Sequence, residues 1–200
     1  TLEAAQESKM ALICRKLKLT PGMRVLDIGC GWGGLSAYMA EKYQVSVVGV
    51  TVSKEQVTLA TERCRDLPVE IRLMDYRDLN EPFDRVVSVG MFEHVGRAHY
   101  NTFMGVVHRC LKDQGLFLLH TIAGNRSVRS SDPWVSKYIF PNSMVPSGRQ
   151  ITESAEKFFI LEDWHSFGPD YDPTLMAWYE NFVANWEKIK RRYDNRFFRM

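Results

Sequence analysis

Residues 25–34 read VLDIGCGWGG. Val25, Leu26 and Ile28 form a short buried strand around Asp27, and the glycines end it at once. Gly29 and Gly31 let the backbone pass close to a ligand, where a Cβ would collide. GGLSAYMAEKY continues as a helix whose first N–H groups have no partner inside the helix. Upstream, TPG at 20–22 closes an amphipathic helix over residues 3–18, with Ala4, Met10, Leu12, Ile13 and Leu17 on one broad face. Downstream the alternation repeats. VSVVGV is a second strand, and a helix capped by Ser53 runs to about Arg65, with Gln56 completing a capping box. VEIRLM is a third strand and FDRVVSVG a fourth. A helix from about Arg97 to Leu111 and a turn at DQG lead to a fifth, LFLLHTI. This rhythm predicts an α/β fold, a parallel sheet with helices on both faces. Ligands of such sheets sit at the carboxyl ends of the strands, near the switch point of strand order.

Beyond residue 123 the rhythm changes. AGNRSVRSSDPW is a long polar connection, and the three prolines of PWVSKYIFPNSMVPSGRQ exclude one regular element. FFILEDWHSF reads as a sixth strand. PTLMAWYENFVANWEKIKRRY reads as a long helix with Pro173 at its first position. Apolar residues are still arriving at RFFRM, and a sheet of this class normally has one more strand. The expectation is a catalytic domain over residues 1–200 that is a fragment, lacking an N-terminal segment, the C-terminal end and the final strand.

Two hundred residues, 45% of them apolar, suit one domain with a real core. A net charge of +2 gives no general attraction to nucleic acid. Cys14, Cys30, Cys64 and Cys110 show neither CxxC nor Cys/His spacing, which argues against a metal cluster or a disulfide framework and makes a reducing cytoplasm the default. No apolar run reaches the length of a membrane span, roughly 18 residues.

The glycine spacing, Gly29-x-Gly31-x-Gly33-Gly34, lacks the GxGxxG of a dinucleotide site. D-x-G-x-G after a first strand instead resembles motif I of S-adenosylmethionine (SAM)-dependent methyltransferases. The resemblance implies a Rossmann-like class I sheet that binds SAM through Asp27, Gly29, Cys30 and Gly31. Many relatives carry an acid at the end of strand two for the ribose. Here Thr51 and Gln56 stand there and supply hydrogen bonds instead. At the tip of strand three, Asp75 suits an adenine amino group. Tyr76 can flank the ring or simply pack on the sheet edge, and Arg77 completes this cofactor set.

Strand four ends abruptly in Glu93-His94, within VVSVGMFEHVG. A buried carboxylate at a strand tip is costly unless something compensates it. VLDIGCGWGGL, VVGVTVSKEQ, MFEHVG, FLLHTI, KYIFPN and YDPTLMAWYENF, in this order, resemble bacterial cyclopropane-fatty-acyl-phospholipid synthases. The mycolic-acid cyclopropane synthases resemble the chain more distantly. The resemblance runs from Thr1 to Met200 and implies a reaction. A cis double bond takes the sulfonium methyl of SAM, and a proton leaves the new methyl group as the ring closes. It also implies a bicarbonate ion as base, held by Glu93, His120, the main chain of Ile122, and Tyr171. His94 reads as structural. His99, His108 and His165 carry no motif. The family's further cysteine, shortly before TLEAAQ, has no counterpart here. Methylation without ring closure, of another unsaturated lipid or a small substrate, and a non-catalytic SAM-binding module remain as alternatives.

An acyl chain needs an apolar slot, and a carbocation favours aromatic walls. Trp134, Tyr138, Phe140, Trp178, Tyr179 and Phe182 offer both, although Trp178, Phe182 and Trp186 also have the spacing of a core-facing helix stripe. KIKRRYDNRFFRM mixes six basic residues with Tyr193, Phe197, Phe198 and Met200, which suits anionic headgroups or a solvated helix face. The partners expected are unsaturated membrane phospholipid and a second copy in a homodimer, with no nucleic acid. The place expected is the cytoplasm, peripheral at the inner face of the cell membrane.

Overall fold

A computed structural model describes residues 1–200. Two compact units emerge, one of residues 8–161 and one of residues 1–7 with 162–200.

The larger unit is built on five parallel strands. Helix α1 (Leu2–Lys16) precedes β1 (Arg24–Ile28), α2 (Gly34–Tyr43), β2 (Ser46–Thr51), α3 (Lys54–Arg63) and β3 (Val69–Leu73). β4 (Phe83–Val89), α4 (Tyr100–Cys110) and β5 (Leu111–His120) follow, then two short helices, α5 (Pro133–Tyr138) and α6 (Gly148–Ala155). The strand order is β3-β2-β1-β4-β5. β1 is central, with Leu26 opposite Val48 on one side and Val86 on the other. After β3 the chain returns to the far side of β1, so the switch point lies between β1 and β4.

Both faces of the sheet are covered, which is why its strands read as nearly unbroken apolar runs. Side chains alternate between the faces. Val25, Val47 and Val87 pack with Ile13 and Cys14 of α1, with Leu17 just after it, and with Met39 and Ala40 of α2. Leu26, Ile28, Val48, Val50 and Val86 pack with Phe103, Met104 and Val107 of α4 and Ile151 of α6. Phe103 is the hub of this second layer, edge-on to Phe92 at 5.3 Å and to Tyr76 at 5.4 Å, and 6.1 Å from Phe117. The far end of the sheet is clamped by Arg24. Its guanidinium lies 4.3 Å over Phe83 and 2.5 Å from Glu81, and its backbone N–H donates to Asp84.

Four expectations change. FFILEDWHSF is not a strand: the sheet has five, and residues 159–167 form neither strand nor helix. Phe158 and Phe159 are drawn instead onto His108 and Phe117, with ring centroids 5.5–6.0 Å apart. Ile160 then emerges 90% exposed. Apolar β-propensity yields to packing: the two phenylalanines are held by their ring contacts, not by a strand ladder. The capping box at Ser53 is half made: Ser53 Oγ accepts the Gln56 N–H, but Gln56 Oε1 accepts from the Thr51 hydroxyl at 2.6 Å. A full box forms at Ser147 and Gln150, starting α6. DQG is an irregularity inside β5, whose register jumps between the pairs Phe83–Leu111 and Arg85–Leu116. The helix before it begins in a 3-10 turn at Arg97–His99 and becomes α-helical at Tyr100.

The smaller unit carries α7 (Tyr171–Ile189) and α8 (Asn195–Arg199). Pro173 is third in α7, still among the positions whose N–H has no helical partner. Phe182 and Trp186 pack on Phe198 at 5.7 and 4.8 Å. Trp178 and Tyr179 are largely exposed. No helix is long and apolar enough to cross a membrane.

Truncating the hub tests the layer above the sheet. Phe103→Ala is expected to lower unfolding stability by about 3–5 kcal/mol, read as a shifted midpoint in urea titration at unchanged slope.

Candidate functional site

The carboxyl ends of the strands form one edge, along which β3, β2, β1, β4 and β5 deliver Asp75, Thr51, the glycine turn, Glu93 and His120 in that order.

The turn after β1 has Gly29, Gly31 and Gly33 at φ of 79°, 55° and 76°, the left-handed region that favours glycine. The three positions differ in what a side chain would meet. A Cβ on Gly29 would lie 2.7 Å from Met91 Cβ, so this glycine lets the tips of β1 and β4 approach across the switch point. A Cβ on Gly31 would meet nothing within 4 Å. The turn is therefore open at Gly31, on the side where a ligand can lie against the backbone. Asp27 sits beneath it, 2% exposed, with Oδ2 accepting from the Ser36 hydroxyl at 2.7 Å. Burial pushes its carboxyl up to about 6, and the Ser36 bond only partly offsets this. The Cys30 side chain points inward, against the face of Gly49. Burial pushes its thiol up to about 12, so it packs as an inert apolar group and only its backbone belongs to the turn.

Thr51 and Gln56 meet at the tip of β2. The Thr51 hydroxyl is committed to Gln56 Oε1, which leaves the Gln56 amide nitrogen as the donor this pair offers. Both oxygens of Asp75 are gripped by the Arg77 side chain at 2.9 and 2.5 Å, and Oδ1 also accepts the Arg77 N–H. These hydrogen bonds hold the Asp75 carboxyl below the usual range. Arg77 thus orients Asp75. Tyr76 is half-buried and edge-on to Phe103, which is its packing role.

Glu93 lies in a 3-10 turn, Phe92–His94, just beyond β4. It is 7% exposed. The segment leaving β5 satisfies one of its oxygens: the Ile122 N–H donates to Oε1 at 2.7 Å. The other oxygen, Oε2, is buried with no hydrogen-bond partner. β4 and β5 pair Val89 with His120, and Gly90 N–H donates to the His120 carbonyl, so the acid and the imidazole leave neighbouring strand tips. Burial lowers the basicity of His120, the charge of Lys9 lowers it further, and the charge of Glu93 partly restores it. Near pH 7 the ring is neutral, with one nitrogen donating and one accepting.

The structure therefore brings Glu93, His120 and the main chain of Ile122 together. Ile122 N–H is spent on Glu93, and the Ile122 side chain is half exposed. Tyr171 opens α7 in the smaller unit, its ring edge-on to Trp178 at 5.9 Å. His94 is exposed with its ring against Phe140 at 5.6 Å, as a structural residue would be. His108 and His165 pack on phenylalanines. Three further residues matter. Ser36 holds Asp27. Lys9, half-buried on α1, supplies positive charge to His120. Tyr100 is buried, its ring stacked on Phe92. The AHYNTF pattern marks Tyr100 only as an aromatic near a helix start, and Lys9 looks like any polar residue of an amphipathic helix.

The chain matches known proteins along its whole length. All of residues 1–200 match the family described as mycolic acid cyclopropane synthetase. The chain is 61% identical over 199 residues to cyclopropane-fatty-acyl-phospholipid synthase of Escherichia coli K12, covering 100% of this chain and 52% of that protein. It thus spans about half the length of that relative. Among solved structures, the cyclopropane synthase MmaA2 from Mycobacterium tuberculosis superposes with a TM-score of 0.91 at 32% identity, covering 100% of this chain and 76% of the other. The mycolic acid cyclopropane synthase CmaA1 complexed with SAH and CTAB gives 0.90 at 32% identity, with the same coverages.

The raised carboxyl of Asp27 sets a direction with pH. Between its ordinary value near 4 and its folded value of about 6, the native state holds the proton more tightly than the unfolded chain does. The stability contributed by this group is thus full below about 4 and is lost as pH rises through 6. Asp27→Asn removes that loss. Its unfolding free energy relative to the unaltered protein is expected to rise by about 3 kcal/mol from pH 4 to pH 7, measured by denaturant titration at each pH.

Proposed function

Because this chain belongs to the mycolic acid cyclopropane synthetase family, we propose that it carries the catalytic face of a SAM-dependent enzyme that builds a cyclopropane ring. The methylene carbon is added across the cis double bond of an unsaturated phospholipid acyl chain. The observation that carries this reading is the buried Glu93, tied by one oxygen to Ile122 N–H and orphaned at the other, beside a neutral His120.

SAM, when bound, supplies an electrophilic methyl group on sulfur. The chain offers it the open side of the turn at Gly31, the Gln56 amide held by Thr51, and the Asp75 carboxylate oriented by Arg77. Bicarbonate, when bound, supplies the base for ring closure, where position matters more than strength. An orphaned carboxylate oxygen fits an ion that brings its own O–H, and a neutral imidazole fits one that also accepts. Lys9, whose positive charge acts on His120, would favour a negative ion beside that ring. Ile122 N–H fixes the Glu93 carboxylate by its other oxygen, so that Glu93 holds and orients rather than drifting toward the reacting carbon. Tyr171, the fourth holder that the family resemblance implies, opens α7 in the smaller unit.

The substrate class follows the named function of the bacterial relative, and such a lipid must be drawn from a bilayer. We place the protein in the cytoplasm at the inner face of the membrane, with the basic and aromatic stretch from Lys188 to Met200 as the contact and a homodimer as the assembly. Phe197, Phe198 and Met200 there are partly exposed.

Incubation with labelled SAM and vesicles of unsaturated phospholipid is expected to add one CH₂ to the acyl chains, with ring protons in the NMR spectrum. Methyl-branched or methylene-branched products would replace ring closure by simple methylation, and SAM binding without any product would reduce the protein to a binding module. Glu93→Gln is expected to lower turnover by roughly 100-fold or more while leaving SAM affinity by calorimetry unchanged. Parallel loss of both would remove the anion-holding role.

A further inference from the structure

Two groups near the end of β4 are buried without a hydrogen-bond partner. One is Glu93 Oε2, which the proposed chemistry already uses. The other is the hydroxyl of Tyr100, on a side chain 3% exposed. Its ring is stacked on Phe92 at 4.2 Å with an interplanar angle of 21°. Phe92 is the residue before Glu93, so the stack fixes the phenol beside the turn that presents the carboxylate. The negative charge of Glu93 acts on the phenol, which places the two groups in one electrostatic neighbourhood.

A tyrosine that only filled space would cost the fold a desolvated hydroxyl, and phenylalanine would fill that space without the cost. Two orphaned groups of opposite hydrogen-bonding sense, a donor and an acceptor, are each the natural remedy for the other. A carboxylate oxygen has two lone pairs, so accepting from Tyr100 leaves room for a second donor. Buried waters commonly serve such pairs.

We propose that Tyr100 is a positioning residue: its hydroxyl donates, directly or through one buried water, to Glu93 Oε2, and so aims the carboxylate at the anion. The anion part rests on the function proposed above; the link between Tyr100 and Glu93 does not. The division of labour is concrete. Ile122 N–H holds Oε1, Tyr100 holds Oε2 from behind, and the remaining lone pair of Oε2 faces the hollow beside His120. Without the phenol, Oε2 is free to swing, and an anion bound there loses its orientation before it loses its site.

The test is Tyr100→Phe in the purified protein, assayed with SAM and unsaturated phospholipid vesicles across a bicarbonate series. The expected result is a tenfold or greater fall in kcat and an unchanged KM for SAM. The bicarbonate concentration giving half-maximal rate is expected to rise. The melting temperature is expected to fall by no more than about 4 °C, the shift that one ordinary hydrogen bond is worth in a chain of this size. A crystal structure of the unaltered protein is expected to show Tyr100 Oη and Glu93 Oε2 bonded to each other or sharing one water. Unchanged kcat overturns the proposal. So does a fall in kcat matched by a fall in SAM affinity, or a structure in which the two atoms bond to unrelated partners. A rate that ignores bicarbonate in the unaltered protein overturns the anion reading alone, and the kcat of Tyr100→Phe together with the crystal structure still decides the link.

Discussion

The 2.7 Å hydrogen bond from Ile122 N–H to Glu93 Oε1 joins two segments that leave the sheet at neighbouring strands. Each segment is irregular. One is a 3-10 turn, the other a polar connection, and neither has a helix to stiffen it at that point. The bond closes them into one unit. It also meets half the hydrogen-bonding demand of a carboxylate that burial would otherwise penalise heavily. Glu93 stays buried because the main chain of the next strand's exit reaches it. That exit in turn has a defined path because Glu93 is there to accept. The Met144 N–H adds a second tie, donating to the Glu93 carbonyl at 2.8 Å. The loop that covers this end is thereby anchored to the same residue.

Everything that makes the edge a site depends on two parallel registers meeting there. The pairing of Val89 with His120 sets acid against imidazole. The missing Cβ at Gly29 lets Met91 close against the glycine turn, so the β4 tip lies beside the opening at Gly31. In the proposed chemistry, methyl donor and base act on the same few ångströms of substrate. The fold meets that need by placing the turn and the carboxylate on adjacent strands, on either side of the point where strand order reverses. The charges are arranged to match. Buried Asp27 lies under the turn, Glu93 lies just beyond β4, and burial, helped by the charge of Lys9 on α1, lowers the basicity of His120.

Much of this was legible in the chain. The five strands of the sheet, the helices between them, the glycine turn and the placing of Glu93 and His120 at strand tips all follow from apolar runs and from residues with special backbone demands. Such signals are local, and parallel strands buried on both faces announce themselves strongly. The errors share one cause. FFILEDWHSF has the composition of a strand, but Phe158 and Phe159 found a better surface on α4 and β5, and the rest of the stretch pairs with no strand. Ser53 and Gln56 have the spacing of a capping box, but the Thr51 hydroxyl claimed the glutamine first. In both cases a local propensity worth a few tenths to one kcal/mol lost to a contact from elsewhere in the fold.

The amino-acid sequence by itself determined the class of fold, the turn that can lie against a ligand, and the two side chains at the strand tips, because each is encoded in a handful of consecutive residues. Only the tertiary structure decided which groups come together. It tied Ile122 N–H to Glu93, set Lys9 of the first helix near His120, turned the Cys30 side chain into the core and stacked Tyr100 on Phe92. These are partnerships between residues from 8 to more than 100 positions apart. Only packing and strand register bring such groups together, and no local pattern records them.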